Sequence, residues 1–144
     1  MASLPLEPWH LAPRLAAGAL ILNSGLDKRD ADAEAAAGLH GMASTAYPFL
    51  GDQDAPTFTD TLSKAEIALG AALLTPVIPT GLVALGLTAF SGGLLGLYAR
   101  VPGMRRPRSV RPTQQGLAVA KDVWLLGIGV GLLTETWLAR RNRR

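Results

Sequence analysis

The sequence contains no cysteine among its 144 residues, which excludes disulfide bonds, thiol redox centres and cysteine-ligated clusters. Histidine is scarce as well: His10 and His40 are the two present, and neither has the spacing of a metal or haem ligand. Patterns typical of a phosphate loop or a nucleophile elbow are also missing. Charged residues make up 17% of the chain, against about 25% in an average soluble domain. An autonomous hydrolase or NTPase is therefore not expected.

The longest absence is that of ionisable residues, because Asp, Glu, Lys, Arg and His are all missing between Ile67 and Ala99. A single helix of that length would extend about 50 Å, whereas the hydrocarbon core of a bilayer is about 30 Å thick. Pro76 and Pro79 interrupt the run near its middle. Each proline removes a backbone donor and restricts the residue before it. The run therefore predicts two short membrane-spanning helices joined by a tight turn.

The apolar segments together predict an all-α membrane protein, a bundle of four transmembrane helices forming one domain over residues 1–144. The predicted spans are residues 11–26, 63–78, 80–99 and 116–138, with polar loops over 27–62 and 100–115 and a basic tail over 139–144. Acidic residues at the start of the alanine-rich stretch 30–46 predict a short extra helix in the first loop. Arg14 is expected to extend back to the interface. The N-terminal segment lacks a basic signal-peptide region, which predicts that the first span is a permanent anchor.

Ionisable residues near the helix ends gather on the membrane face that would carry both loops. The candidate polar pocket consists of Asn23, Asp27, Lys28, Glu66, Lys121 and Asp122. Charges in an apolar slab are costly and usually face the bundle interior, so we expect Glu66 to pair with a cation from another helix, preferably Lys121. One interpretation is a pocket that binds a headgroup, a quinone ring or a proton. The other is a set of interfacial ion pairs that fix helix ends, which the position of these residues near the boundary favours.

Small and basic residues predict how the bundle packs and what surrounds it. Gly92 with Gly96, and Gly127 with Gly131, have the G-x-x-x-G spacing that permits close helix approach in lipid, and Gly18, Gly25 and Gly70 are compatible with the same use. Arginines cluster beside the spans, and those expected to contact lipid headgroups are Arg105, Arg106, Arg108, Arg111, Arg140 and Arg141. This flanking position favours a bilayer over nucleic acid as the partner.

Three segments in order resemble the DoxX family of small four-helix membrane proteins. Residues 14–28 are similar to the family's R-l-a-l-G…G-l-x-K opening, residues 64–74 to its second helix with a glutamate ahead of a glycine-leucine run, and residues 115–127 to the K-D-x-x-L-L-G opening of its last helix. The resemblance covers nearly the whole chain and is weakest around residues 30–60. The family includes a small membrane subunit associated with thiosulfate:quinone oxidoreductase. The resemblance therefore implies a role linked to redox chemistry or oxidative stress, with quinone as the implied cofactor and a redox enzyme as the implied partner.

Three functions stay open at this point. The chain could be a redox-associated subunit in contact with quinone or a partner enzyme, a non-catalytic anchor or scaffold, or a small transporter-like homo-oligomer. The third is least supported, because the sequence has no inverted repeat and no charge midway along the second and third spans. Only quinone contact requires a cavity between helices that reaches Glu66 and Asp122. In each case the expected location is the cell membrane of a bacterium, in multi-pass form.

Overall fold

Helices account for the regular structure of residues 6–144, the residues that this computed structural model describes. The α-helices are α1 (Leu11–Arg29), α2 (Ala33–Ala46), α3 (Ala55–Leu74), α4 (Thr80–Arg100), α5 (Gln114–Ala120) and α6 (Val123–Asn142), with 3-10 turns at Pro8–His10 and Pro48–Asp52. Pairing of β type in this part of the chain is limited to one isolated bridge between Arg105 and Pro112. The predicted all-α class is confirmed. The first five residues of the segment considered for a signal peptide lie outside the described residues.

The turn predicted from the two prolines is present, because α3 ends at Leu74 and α4 begins just after Pro79. The start predicted for this helix at residue 63 is wrong, since α3 begins at Ala55. Asp54 sets that start: its carboxylate accepts a hydrogen bond from the backbone N–H of Thr57 at 3.0 Å. The Thr57 hydroxyl also donates to this carboxylate, and it lowers the pKa of Asp54 below its ordinary value.

The helix predicted in the first loop is present, whereas the last predicted span contains a turn that the sequence did not predict. The extra helix in the first loop is present as α2, which starts where the Asp32 carboxylate accepts from the N–H of Ala35 at 2.8 Å. The last span predicted over 116–138 lies within the apolar stretch Gln114–Asn142, which that turn interrupts. It divides into α5 and α6 because the N–H groups of Asp122 and Trp124 bond to carbonyls three residues back, each at 3.0 Å, which tightens the turn. Helix α6 also continues into the predicted tail, as far as Asn142.

Two helical stretches are long and apolar enough to cross a membrane: Thr80–Arg100, and Gln114–Asn142 across the α5–α6 turn. Each has a mean hydropathy of 1.7 over its most apolar window. Only 22% of each window is buried, whereas the core helix of a soluble protein is mostly buried. Helices α1 and α3 are not in this class, because every 18-residue segment of either helix contains at least three charged residues.

The long helices pack in two pairs, α1 along α3 and α4 along α6, with few contacts between α1 and α6. The buried core joining them consists of Ala17, Ile21, Leu73, Val83, Leu87 and Leu125. Glycine permits the closest approach in the first pair: a Cβ on Gly70 would lie 2.6 Å from the backbone nitrogen of Leu22. Gly18 and Gly25 of α1 similarly face α3. In a bundle this close backbone contact maximises van der Waals packing.

The glycine contact in the second pair is made by Gly129, where a Cβ would lie 2.6 Å from Oγ1 of Thr88. Within this chain the structure corrects the packing predicted from the G-x-x-x-G spacing. Gly92, Gly127 and Gly131 face open space, and Gly96 contacts the hydroxyl of Tyr47 in the first loop instead of a long helix. Two residues turn a helix by roughly 200°, so positions 127 and 131 point away from α4 when position 129 points toward it.

We expect Gly129→Leu to destabilise the protein by about 1–3 kcal/mol, because a side chain at this position must displace Thr88. Thermal unfolding in detergent micelles measures the effect. Gly92→Leu on the partner helix is the control, since its side chain would enter open space. Equal melting temperatures for the two variants would contradict the assignment of the contact to Gly129.

Candidate functional site

A buried ion pair joins α1 to α3 at the end of the bundle that carries the loops. The Nζ atom of Lys28 lies 3.0 Å from Oε2 of Glu66, and the Glu66 side chain is 2% exposed. Lys28 also donates to Oγ of Ser24, one turn earlier on α1, at 2.7 Å. Because Lys28 is oriented by a second bond, the pair fixes the two helices in register at this end.

The preference for Lys121 as the partner of Glu66 is wrong. Lys121 is exposed in the turn between α5 and α6, while Lys28 occupies the site. The reason is the pairing of helices: α1 packs directly on α3, whereas α6 packs on α4. Asp122, next to Lys121, lies within electrostatic range of both Lys28 and Glu66. The structure therefore brings three members of the predicted pocket near one another.

The remaining members of the predicted pocket lie outside this group. Asn23 and Asp27 are exposed on α1, where the Asn23 side-chain amide donates to Oδ2 of Asp27 at 3.3 Å. Ser63 of α3 adds another bond to α1, because its buried hydroxyl donates to the carbonyl oxygen of Gly25 at 2.7 Å. The polar groups at this end thus satisfy one another across the α1–α3 contact.

A second polar cluster, centred on Arg14, lies at the opposite end of the bundle. Arg14, whose side chain was expected to extend back to the interface, is 2% exposed and is directed toward acceptors within the protein. Its guanidinium instead donates five hydrogen bonds across to the end of α3 and the following turn. The acceptors are the carbonyl oxygens of Ala72, Leu73, Thr75 and Ile78 and the hydroxyl of Thr80, at 2.9–3.1 Å. Arginine alone among side chains offers this number of donors in one plane.

His10 extends this cluster to the last helix, because its Nε2 lies 2.6 Å from Oε2 of Glu135 on α6. The other ring nitrogen, Nδ1, accepts from the N–H of Glu7 at 3.2 Å and lies 3.1 Å from Oγ1 of Thr80. An accepting Nδ1 assigns the proton of the neutral ring to Nε2, which then donates to the Glu135 carboxylate. The buried imidazole of His10, in the N-terminal turn, therefore contacts both α4 and α6.

A cleft of about 430 Å³ opens beside this imidazole. Its ionisable lining residues are Glu7, His10, Glu135, Arg140 and Arg143. The sequence interpretation placed the candidate pocket at the other end and treated His10 as an isolated residue. The signal that could have found this site is Glu135, a carboxylate within an apolar helix, which needs a partner on the same membrane face.

The arginine loop between α4 and α5 folds as a short hairpin, hereafter the arginine hairpin (residues 104–113). The N–H of Arg106 donates to the carbonyl oxygen of Arg111 at 2.9 Å, and Thr113 bonds back to Met104. Arg108 at the tip has a φ of 54°. Met104 is buried, whereas the predicted headgroup-contacting arginines of this loop, Arg105, Arg106, Arg108 and Arg111, are all exposed.

The other predicted headgroup contacts, Arg140 and Arg141, are exposed near the end of α6, at the opposite end of the bundle. The Arg141 guanidinium lies 5.0 Å from the ring centre of Trp137, a cation–π arrangement. In the described residues, His, Asp and Glu do not form a group of three that could hold a metal ion.

Comparisons with protein-family models, with curated proteins and with solved structures find no match to this chain.

Removing Lys28 should destabilise the protein by about 3–5 kcal/mol, because the Glu66 carboxylate is left buried without a partner. Removing Glu66 should cost less, because Lys28 is 21% exposed and keeps its bond to Ser24. We expect Glu66→Gln and Lys28→Met each to lower the unfolding temperature, and the double variant to cost less than their sum. A double-mutant cycle on detergent-solubilised protein measures the coupling. Lys121→Met is the control and should have little effect; strict additivity of the first two changes would show that the pair does not interact.

Arg14→Met should destabilise the protein by about 3 kcal/mol, because five hydrogen bonds at the α3–α4 turn are lost and the carbonyl oxygens of Leu73 and Ile78 are left without this donor. The matched control is Arg29→Met, which removes an exposed arginine from the other end of the same helix. Unfolding by denaturant in micelles compares the two. Similar losses would mean that Arg14 contributes only as a general surface charge.

Proposed function

We propose that this chain is a small integral membrane subunit of DoxX type that crosses the cell membrane four times and anchors a redox-linked enzyme there. The observation that supports it is an inverted distribution of side chains. Polar groups are buried between helices, whereas large apolar groups are exposed. A soluble fold has the opposite arrangement, and an extended exposed apolar surface indicates a lipid or protein contact.

Helix α1 illustrates this distribution, although its charges keep it out of the apolar class. Arg14 is 2% exposed and its neighbour Leu15 is 51% exposed. Leu11 and Leu20 are exposed as well. The ionisable group that would be costly in lipid therefore faces protein, and the groups that lipid favours face outward.

The order of the helix ends also supports four crossings. His10 at the start of α1 contacts Glu135 near the end of α6, and Arg14 contacts Thr80 at the start of α4. Successive long helices α1, α3, α4 and α6 therefore run alternately up and down. Both termini then lie on one side, and the first loop and the arginine hairpin on the other.

An anchoring role is favoured over quinone contact at the Glu66 end. The Glu66 carboxylate is closed off by Lys28 and by helix packing, so it behaves as a structural pair. The exposed parts of this end are α2 and the arginine hairpin, which offer surfaces for a partner enzyme. The link to redox chemistry comes from the DoxX resemblance.

The four-span topology predicts that residues 53 and 108 lie on one side of the membrane and residue 144 on the other. The chain has no native cysteine, so single substitutions Gln53→Cys, Arg108→Cys and Arg144→Cys each create a unique label site. A membrane-impermeant maleimide applied to intact cells should label either the first two or the third. Labelling of all three, or of positions 53 and 144 together, would overturn the topology.

The anchoring role predicts that the tagged chain, purified from native membranes in mild detergent, retains a quinone-reducing activity on the affinity resin. Neutralising the hairpin with Arg106→Gln, Arg108→Gln and Arg111→Gln should release that activity while the chain stays inserted. The control is Arg141→Gln with Arg144→Gln, which removes exposed charge from the opposite end. If the wild-type chain retains no such activity, the redox link is wrong.

A further inference from the structure

An apolar groove of about 520 Å³ runs along the outer surface between α1 and α6. Gly127 and Gly131 line it, so the missing side chains leave space where α1 and α6 make few contacts. Trp124 and Leu132 of α6 and Pro13 of α1 complete its walls. In the proposed topology this groove faces the hydrocarbon of the bilayer.

The groove and the polar cleft beside His10 follow one another along the same two helical segments. Pro13 of the groove lies one turn after His10 of the cleft, and Leu132 of the groove lies one turn before Glu135 of the cleft on α6. Residues three or four apart share a helix face, so on each segment the apolar lining is followed by the polar lining. An amphiphilic molecule would fit this sequence of surfaces, with a chain in the groove and a polar head in the cleft.

The charges of the cleft indicate what kind of head it suits. Arg140 and Arg143 supply positive charge, whereas Glu7 and the His10-bound Glu135 supply negative charge. A purely anionic head would meet the carboxylates, and a purely cationic head would meet the arginines. A head that carries a phosphate and an ammonium group matches both signs, because arginine forms strong paired bonds to phosphate and a carboxylate accepts from ammonium.

We infer that the groove and cleft together bind one phospholipid whose head carries a phosphate and a primary ammonium group, with an acyl chain lying against Gly127 and Gly131. This inference rests on the proposed membrane insertion. The phosphate lies near Arg140 and Arg143, and the ammonium group near Glu7 and Glu135. The lipid fills the seam that the two helix pairs leave open.

Native mass spectrometry of delipidated protein, titrated with defined lipids, tests the inference. Phosphatidylethanolamine should bind with a stoichiometry of one, at least about tenfold more tightly than phosphatidylglycerol, which lacks the ammonium group. Soluble phosphoethanolamine, which has the head without the chains, should bind more weakly still. Preference for phosphatidylglycerol or for a quinone, or equal binding of phosphoethanolamine, would overturn the inference.

Variants locate the site. Gly127→Leu fills the groove, and Arg140→Gln with Arg143→Gln removes the phosphate contacts, so each should weaken phosphatidylethanolamine binding about tenfold or more. Glu7→Gln should reduce the preference for phosphatidylethanolamine over phosphatidylglycerol, because it removes a carboxylate that accepts from the ammonium group. The matched controls, Gly92→Leu and Arg29→Gln, lie outside the groove and cleft and should bind as the wild type does. Unchanged binding in Gly127→Leu would overturn the site.

Two separate experiments, lipid titration and cysteine labelling, distinguish failure of this inference from failure of the proposed function. Cysteine labelling reports insertion independently of lipid binding. A chain that inserts with four crossings and shows no lipid preference would refute the inference alone, whereas a chain that fails the labelling test would refute the proposed topology first.

Discussion

The fold depends on one buried arginine. The guanidinium of Arg14 occupies the place where α3 ends and the chain turns into α4, and it bonds to the carbonyl oxygens of Ala72, Leu73 and Thr75, at a helix end where backbone acceptors lack regular helical donors. A helix end buried without donors would be costly, and the prolines of this turn cannot supply them. By meeting that need from α1, Arg14 ties the first helix to the α3–α4 turn, while Thr80 and His10 extend the connection to α6.

Hydropathy alone identifies two of the four long helices as possible membrane spans. Helices α4 and α6 each contain an apolar stretch that a bilayer or a buried core would accept. Helices α1 and α3 contain charges that become acceptable when they face each other, as Lys28 and Glu66 do at one end. The two pairs are also linked outside the bundle, where the Tyr47 hydroxyl donates to the carbonyl oxygen of Gly93 on α4 and the first loop packs on α3.

The sequence predicted those features of the fold that depend on neighbouring residues in the chain, such as turns and helix starts. The prolines at 76 and 79 located the turn, and the acidic start of α2 located an extra helix. The partner of Glu66 could not be predicted in this way, because it depends on which helices are neighbours and not on which membrane face a residue shares. The same holds for Gly129: its neighbours at 127 and 131 match the spacing motif, but the rotation of α6 about its axis decides which glycine meets α4. The cleft beside His10 could not be predicted locally either, because it forms where His10 meets Glu135, which is 125 positions away in the sequence.

The long sequence separation of the Arg14 contacts has a consequence for biosynthesis. Its acceptors lie 58 to 66 residues further along the chain, so they do not exist when α1 leaves the ribosome. A lone helix with an unpaired guanidinium is poorly tolerated in hydrocarbon. In the proposed four-span topology, helix α1 would need a protected environment, in the insertion machinery or at the lipid surface, until the α3–α4 turn has been synthesised. Insertion of the N-terminal half would then be a concerted event, in which the first helix enters the bilayer together with the residues that bind its guanidinium.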